Sequence, residues 1–131
     1  MENTIQLETQ TKLTNISLSP QGILVVEFNT SSEDFDLEEA KDQLRIVQEL
    51  TDQKPVPVLV DTTLSFQTPS PKAKELLASY PFKKAEAIVV KHLHQRITST
   101  FFLKLSHSKF KHPVKLFTSK EKAMRWLEKQ F

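Results

Sequence analysis

Residues 54–61 read Lys54-Pro-Val-Pro-Val-Leu-Val-Asp61. The short apolar run from Val56, rich in β-branched residues and closed by an acid, has the look of a buried strand. Pro57 lies near its start, where a missing ladder donor is tolerable. What flanks this strand decides the kind of sheet it joins. Upstream, Asp36-Leu-Glu-Glu39 has the capping-box pattern: the Asp36 carboxylate can accept from the Glu39 N–H while Glu39 reaches back. Leu37, Ala40, Leu44, Val47 and Leu50 follow at helical spacing, with Ile46 beside them. That helix should run to about Thr51 and stop before Lys54-Pro55. Downstream, a polar loop from Thr62 to Pro69 leads to Ser70-Pro71. Serine as N-cap with proline at the first helical position is a helix start. Ala73, Leu76, Leu77 and Tyr80 form its buried stripe, and Pro81 ends it. A buried strand with a helix on either side belongs in a layered α/β sheet.

Working further outward, Ser19-Pro-Gln-Gly22 separates two β-rich runs, Asn15–Ser19 and Ile23–Phe28. Proline second and glycine fourth is a type I turn signature, so these runs form a hairpin. Toward the C-terminus, Ala85–Val90 reads as a strand and about Gln95 to Ser106 as a helix with Ile97, Phe101, Phe102 and Leu105 on one broad face. Pro113–Phe117 is a strand. Thr118-Ser-Lys-Glu121 is a second capping box, opening a last helix with Ala123, Met124, Trp126 and Leu127. The order β-β-α-β-α-β-α-β-α predicts parallel pairings with right-handed crossovers, and the initial hairpin makes the sheet mixed. Residues 1–12 are polar and aperiodic, a frayed or edge extension. Residues 13–131 make one domain, since no linker or repeat divides them.

Composition removes several chemistries. An average protein of 131 residues would hold about nine glycines; this one holds one, Gly22, and no cysteine. A phosphate-binding loop, a dinucleotide fingerprint and a nucleophile elbow each need more glycine than that. Disulfides, thiolate nucleophiles and cysteine-ligated metals are excluded outright. No apolar run reaches the roughly 20 residues of a membrane span, and the first residues lack the pattern of a signal peptide. The expected compartment is the cytoplasm. The net charge of +2 conceals an asymmetry: residues 1–65 hold 4 Lys/Arg against 12 Asp/Glu, and residues 66–131 hold 14 against 4. Such halves can meet within one fold or between subunits, or the basic half can face an anionic partner. The simpler expectation is that they interleave and cancel, because sequence halves need not be surface halves.

Candidate chemistry is sparse. His92-x-His94 could give two metal ligands, but residues 87–120 contain no Asp or Glu to complete a site, so the histidines read as solvated or structural and no metal or other cofactor is expected. Asp61 ends a buried strand, where α/β sheets often place functional groups; equally, it can accept hydrogen bonds from the loop that follows. Lys104, Lys109, Lys111 and Lys115, with Phe110 among them, form a candidate surface for an anionic partner. Only Arg45, Arg96 and Arg125 supply arginine, fewer than a nucleic-acid reader would carry, so no nucleic acid is expected.

Taken together, Gly22–Phe28, the helix from Asp36, Lys54–Asp61, Phe101–Leu103, Pro113–Phe117 and Ala123-x-x-Trp126-Leu127 resemble the SpoIIAA-like (STAS) domains, the bacterial anti-sigma-factor antagonists. They look closer still to small bacterial STAS-like proteins of unknown function. The resemblance implies a mixed sheet of four to five strands with helices packed mainly on one face. At fold level it is also similar to the CRAL-TRIO lipid-binding domains. In the antagonists a serine within Asp-Ser-Ser-Gly, at the start of a helix, is a phosphorylation switch. Here that serine falls on Ser70, with Thr68 in place of the aspartate, Pro69 of the first serine and Pro71 of the glycine. The expected function is a non-enzymatic protein-interaction or regulatory module, with a protein partner or a second copy of itself. The alternative is a binding domain for a small apolar or anionic, lipid-like ligand between sheet and helices, with Phe66, Phe82, Phe101 and Phe102 deciding between the two.

Overall fold

The computed structural model describes residues 8–65, 67–91 and 112–131. Six strands form one sheet whose spatial order equals their order in the chain. They are β1 (Glu8–Gln10), β2 (Thr14–Leu18), β3 (Leu24–Phe28), β4 (Val56–Asp61), β5 (Lys83–Val89) and β6 (Val114–Phe117). β1, β2 and β3 pair antiparallel, while β3 through β6 are parallel. The predicted mixed α/β architecture is therefore present, with one strand more than the sequence pattern suggests. The extra strand, β1, lies inside the polar stretch read as an extension. It pairs Thr9 with Ile16 at the sheet edge, and three polar residues carry no apolar alternation to announce it. The helix expected near 95–106 falls outside the described residues, as do His92, His94, His107, Phe66, Phe101, Phe102 and Phe110.

Between β2 and β3 the Gly22 N–H donates to the Ser19 carbonyl at 2.9 Å, closing the predicted turn. Gly22 itself sits at φ 90°, where a side chain would be strained. Three helices are described: α1 (Leu37–Thr51), α2 (Pro71–Ser79) and α3 (Lys120–Glu128). Asp36 caps α1 by accepting from Glu39 N at 2.9 Å, and that bond, ahead of the nearby Lys12 charge, holds its carboxyl below the usual range. The return half of the capping box is not made. The Glu39 carboxylate turns instead to Thr11 Oγ1 at 2.6 Å and Gln43 Nε2 at 2.8 Å, both of which donate to Oε2. Its other oxygen, Oε1, is buried without a partner. α1 ends on Asp52 and Gln53, both left-handed at φ 55°, a position that glycine usually fills. At α3 the cap is Ser119, accepting from Lys122 N at 3.3 Å, not Thr118. With the start moved by one residue, Glu121 no longer stands three positions past the cap.

Alternation along each strand divides the core. Val58 packs with Ile46 and Val47 of α1 and with Tyr80 at the end of α2. Its neighbour Leu59 points to the opposite face and packs with Ala123 and Leu127 of α3. Two of the three described helices thus share one face, in line with the expectation of helices mainly on one side, and the C-terminal helix covers the other. A third cluster, Leu13, Phe28, Phe35, Ala40 and Ala73, ties the starts of α1 and α2 to the end of β3. It fixes the loops above the C-terminal ends of the parallel strands.

Candidate functional site

Open parallel sheets bind ligands and partners at the carboxyl ends of their strands. Among the described residues, loops 29–36 after β3 and 62–70 after β4 lie at that end. Asp61 closes β4 and is buried. Its Oδ1 accepts from Thr63 N at 2.9 Å and Thr63 Oγ1 at 2.7 Å, the loop-building role that was one of its two expectations. Thr62 donates through both N–H and hydroxyl to the Val89 carbonyl, at 2.9 and 2.7 Å, so the loop is pinned to β5. Ser65 Oγ donates to the Asn29 carbonyl, and Gln67 Nε2 donates to the Ser31 carbonyl at 3.0 Å. These bonds join the two loops. Leu64, in the middle of the second, is 71% exposed.

Ser70 stands where its sequence pattern placed it, at the N-cap of α2. Its Oγ accepts from Ala73 N at 3.2 Å, and its N–H donates to the Phe35 carbonyl at 2.9 Å. Of the four lysines in the candidate anionic-partner surface, Lys115 alone lies within the described residues. It is exposed on β6 with Nζ 5.4 Å from the Phe117 ring centre, and Phe117 in turn packs on Trp126. Lys104, Lys109 and Lys111 lie outside the described residues. Of the four phenylalanines that bear on ligand binding, Phe82 is described. It meets Tyr80 edge-on at 5.6 Å and packs against the first core cluster.

One cluster escaped the sequence pattern. Glu86, on β5, takes Lys83 Nζ at 3.3 Å and His112 Nε2 at 3.2 Å on the same oxygen, Oε1. The side chains of Lys83, Glu86 and His112 are 12%, 12% and 8% exposed. Burial by itself would raise the Glu86 carboxyl. The Lys83 charge and the His112 bond outweigh it and draw the value down to about 2. The stretch 87–120 holds no acid, but the carboxylate that meets a histidine is at position 86, one residue before it. An acid between Ala85 and Ala87 in an apolar run was the available signal. His112 is thereby a structural histidine. Among the described residues no group of three or more His, Cys, Asp or Glu is placed to hold a metal. Nor is any described helix long and apolar enough to cross a membrane.

The mixed sheet, with α1 and α2 on one face and α3 on the other, has a SpoIIAA-like fold. A crystal structure of an uncharacterised DUF3478-family protein from Shewanella loihica PV-4, described as having a SpoIIAA-like fold, superposes with a TM-score of 0.58. The match covers 97% of this chain and 98% of that one at 17% identity, a likeness of fold. The model of the domain of unknown function DUF7793 matches residues 16–130, and the chain belongs to that family. No curated protein matches it.

Proposed function

We propose that this is a non-enzymatic STAS-like module of the cytoplasm that works by contact with another protein. What supports the reading is how the polar groups above the parallel strands are used. Asp61, Thr62, Thr63, Ser65, Gln67 and Ser70 spend hydrogen-bonding groups on the shape of two joined loops. Chemistry at a sheet end calls for groups that converge on a substrate; here they converge on the backbone. The product is a stiff platform with Leu64 projecting from it, 71% exposed. An apolar side chain on a rigid support is suited to fill a partner's pocket.

Within this reading Ser70 is the candidate regulatory position. A phosphoryl group there would break the cap bond to Ala73, then gain from the positive helix end and from Lys72 and Lys74. The test places a photo-crosslinking residue at position 64, and a control at exposed Glu49, in the intact chain inside its own cells. A discrete protein adduct from position 64 and none from position 49, competed away by wild-type chain, is the expected result. No adduct at either site, together with a small molecule retained by the native protein in mass spectrometry, would favour the ligand-binding alternative instead.

A further inference from the structure

Glu39, in the first turn of α1, is 1% exposed, the most deeply buried acid among the described residues. Each other acid of α1 and its N-cap has a cation beside it. Lys12 stands 3.7 Å from Asp36 and Lys41 3.6 Å from Glu38, while Arg45 reaches Asp42 at 3.8 Å and Glu49 at 3.6 Å. Glu39 has no such partner among the described residues. The positive end of the helix supplies only about half a charge, and Asp36 shares it by accepting the Glu39 N–H. Hydrogen counting shows what else is lacking. Thr11 has one hydroxyl hydrogen and gives it to Glu39 Oε2 at 2.6 Å. In its 2.7 Å contact with Thr14 Oγ1, the Thr14 hydroxyl is therefore the donor. Gln43 Nε2 gives one hydrogen to the same Oε2. Left over on these linked side chains are Glu39 Oε1, buried without a partner, the Gln43 amide oxygen and the Thr14 lone pairs, against a single N–H of Gln43.

An ionised carboxylate taken out of water needs an opposite charge as well as hydrogen bonds. We propose that Glu39 Oε1 holds a monovalent alkali cation, sodium or potassium. One uncompensated carboxylate balances one positive charge, and carboxylate, hydroxyl and amide oxygens are hard donors of the kind hard cations take. Such an ion needs neither histidine nor cysteine, so it falls outside the metal chemistry that the sequence excludes. Thr11 belongs to the β1–β2 turn, whose Lys12 carbonyl accepts from Asn29 Nδ2 at 3.3 Å and whose Leu13 carbonyl accepts from Asn29 N at 2.9 Å. The Thr11–Glu39 bond thus ties α1 to a turn that also holds the start of loop 29–36. A cation on Glu39 keeps the carboxylate ionised and this tie in place. The proposal does not rest on the protein-contact reading, and the crosslink at position 64 can fail without it.

Calorimetry on the purified chain tests it, with tetramethylammonium chloride exchanged for sodium or potassium chloride at about 0.3 M throughout, so that surface charges stay equally screened. Tetramethylammonium is too large to enter a buried site. Full exchange should shift the folding equilibrium of the wild type about tenfold toward the folded state, a rise of about 4 °C in Tm. Glu39→Gln, neutral and of the same shape, should melt alike in all three salts. Glu38→Gln makes the same charge change at the exposed neighbouring residue and should respond as wild type does. Thallium(I), a potassium substitute with strong anomalous scattering, gives a readout on wild-type crystals that does not depend on the variants folding: a peak is expected on Glu39 Oε1. A wild-type Tm indifferent to the exchange overturns the proposal and leaves water or a proton as the partner of Oε1. So does a response that survives Glu39→Gln or is lost in Glu38→Gln, or thallium crystals that show only water at Oε1.

Discussion

Replacing Glu86 by glutamine tests the Lys83–Glu86–His112 cluster directly. The carboxyl titrates at about 2 in the fold against an ordinary 4.5, a difference equivalent to about 3 kcal/mol in favour of the folded state. The sign follows from the depressed value. The contribution is fully present above pH 4.5, where the unfolded carboxyl is already ionised, and is lost as pH falls through the window from 4.5 to 2. Glutamine keeps the shape but leaves Lys83 and His112, both nearly buried, facing a neutral oxygen. Urea unfolding at a series of pH values should show Glu86→Gln about 3 kcal/mol less stable than wild type at pH 7, with the gap closing toward zero near pH 2. His112→Asn removes one of the two causes of the depression, so its acid transition should begin at higher pH than that of wild type. A glutamine variant within about 0.5 kcal/mol of wild type at pH 7, the scatter of neutral surface changes, would refute the reasoning. So would a gap constant between pH 4.5 and 2.

Five further substitutions, at four positions, probe the fold. Gln53 holds φ 55° after α1, so Gln53→Gly should relieve roughly 1 kcal/mol of left-handed strain and raise the Tm by about 3 °C, read by calorimetry. Leu127 is fully buried against the second face, and Leu127→Ala should cost about 3 kcal/mol. Leu64→Ala, at an exposed position, should stay within about 0.5 kcal/mol by the same denaturation assay. Ser70→Ala removes the cap on α2 and should cost about 1 kcal/mol, whereas Ser70→Asp keeps an acceptor at the cap and should hold stability near wild type in thermal melts.

Local physics was legible because it is written in adjacent residues. Ser19-Pro-Gln-Gly22 closed the turn it predicts, and Asp36 and Ser70 capped the helices they precede. Val56–Asp61 became an interior strand, flanked by β3 and β5. Two of the differences lie at helix caps. Thr118 was taken over Ser119 because two hydroxyl residues in succession offer the same cap chemistry, and packing of Ala123 and Leu127 on the sheet chose between them. The return bond of Glu39 failed because Thr11 and Gln43 offered it closer donors. Thr11 lies 28 residues away in the chain, beyond any local pattern. Leu64 in its polar loop carried no sign that it would project, since exposure depends on how the neighbouring loop from 29 to 36 sits beside it.

By itself the sequence determined every described element but β1, their order, and the glycine- and cysteine-dependent chemistries the protein cannot perform. Turns, caps and apolar periods depend on residues within a few positions of one another, and a missing cysteine or glycine is absent from every conformation. Tertiary structure decided which face each helix covers and that His112 finds its carboxylate at Glu86 on the neighbouring strand. Those outcomes depend on which strands lie side by side. Pairing is settled by burial summed over the whole sheet, a quantity that no single segment carries.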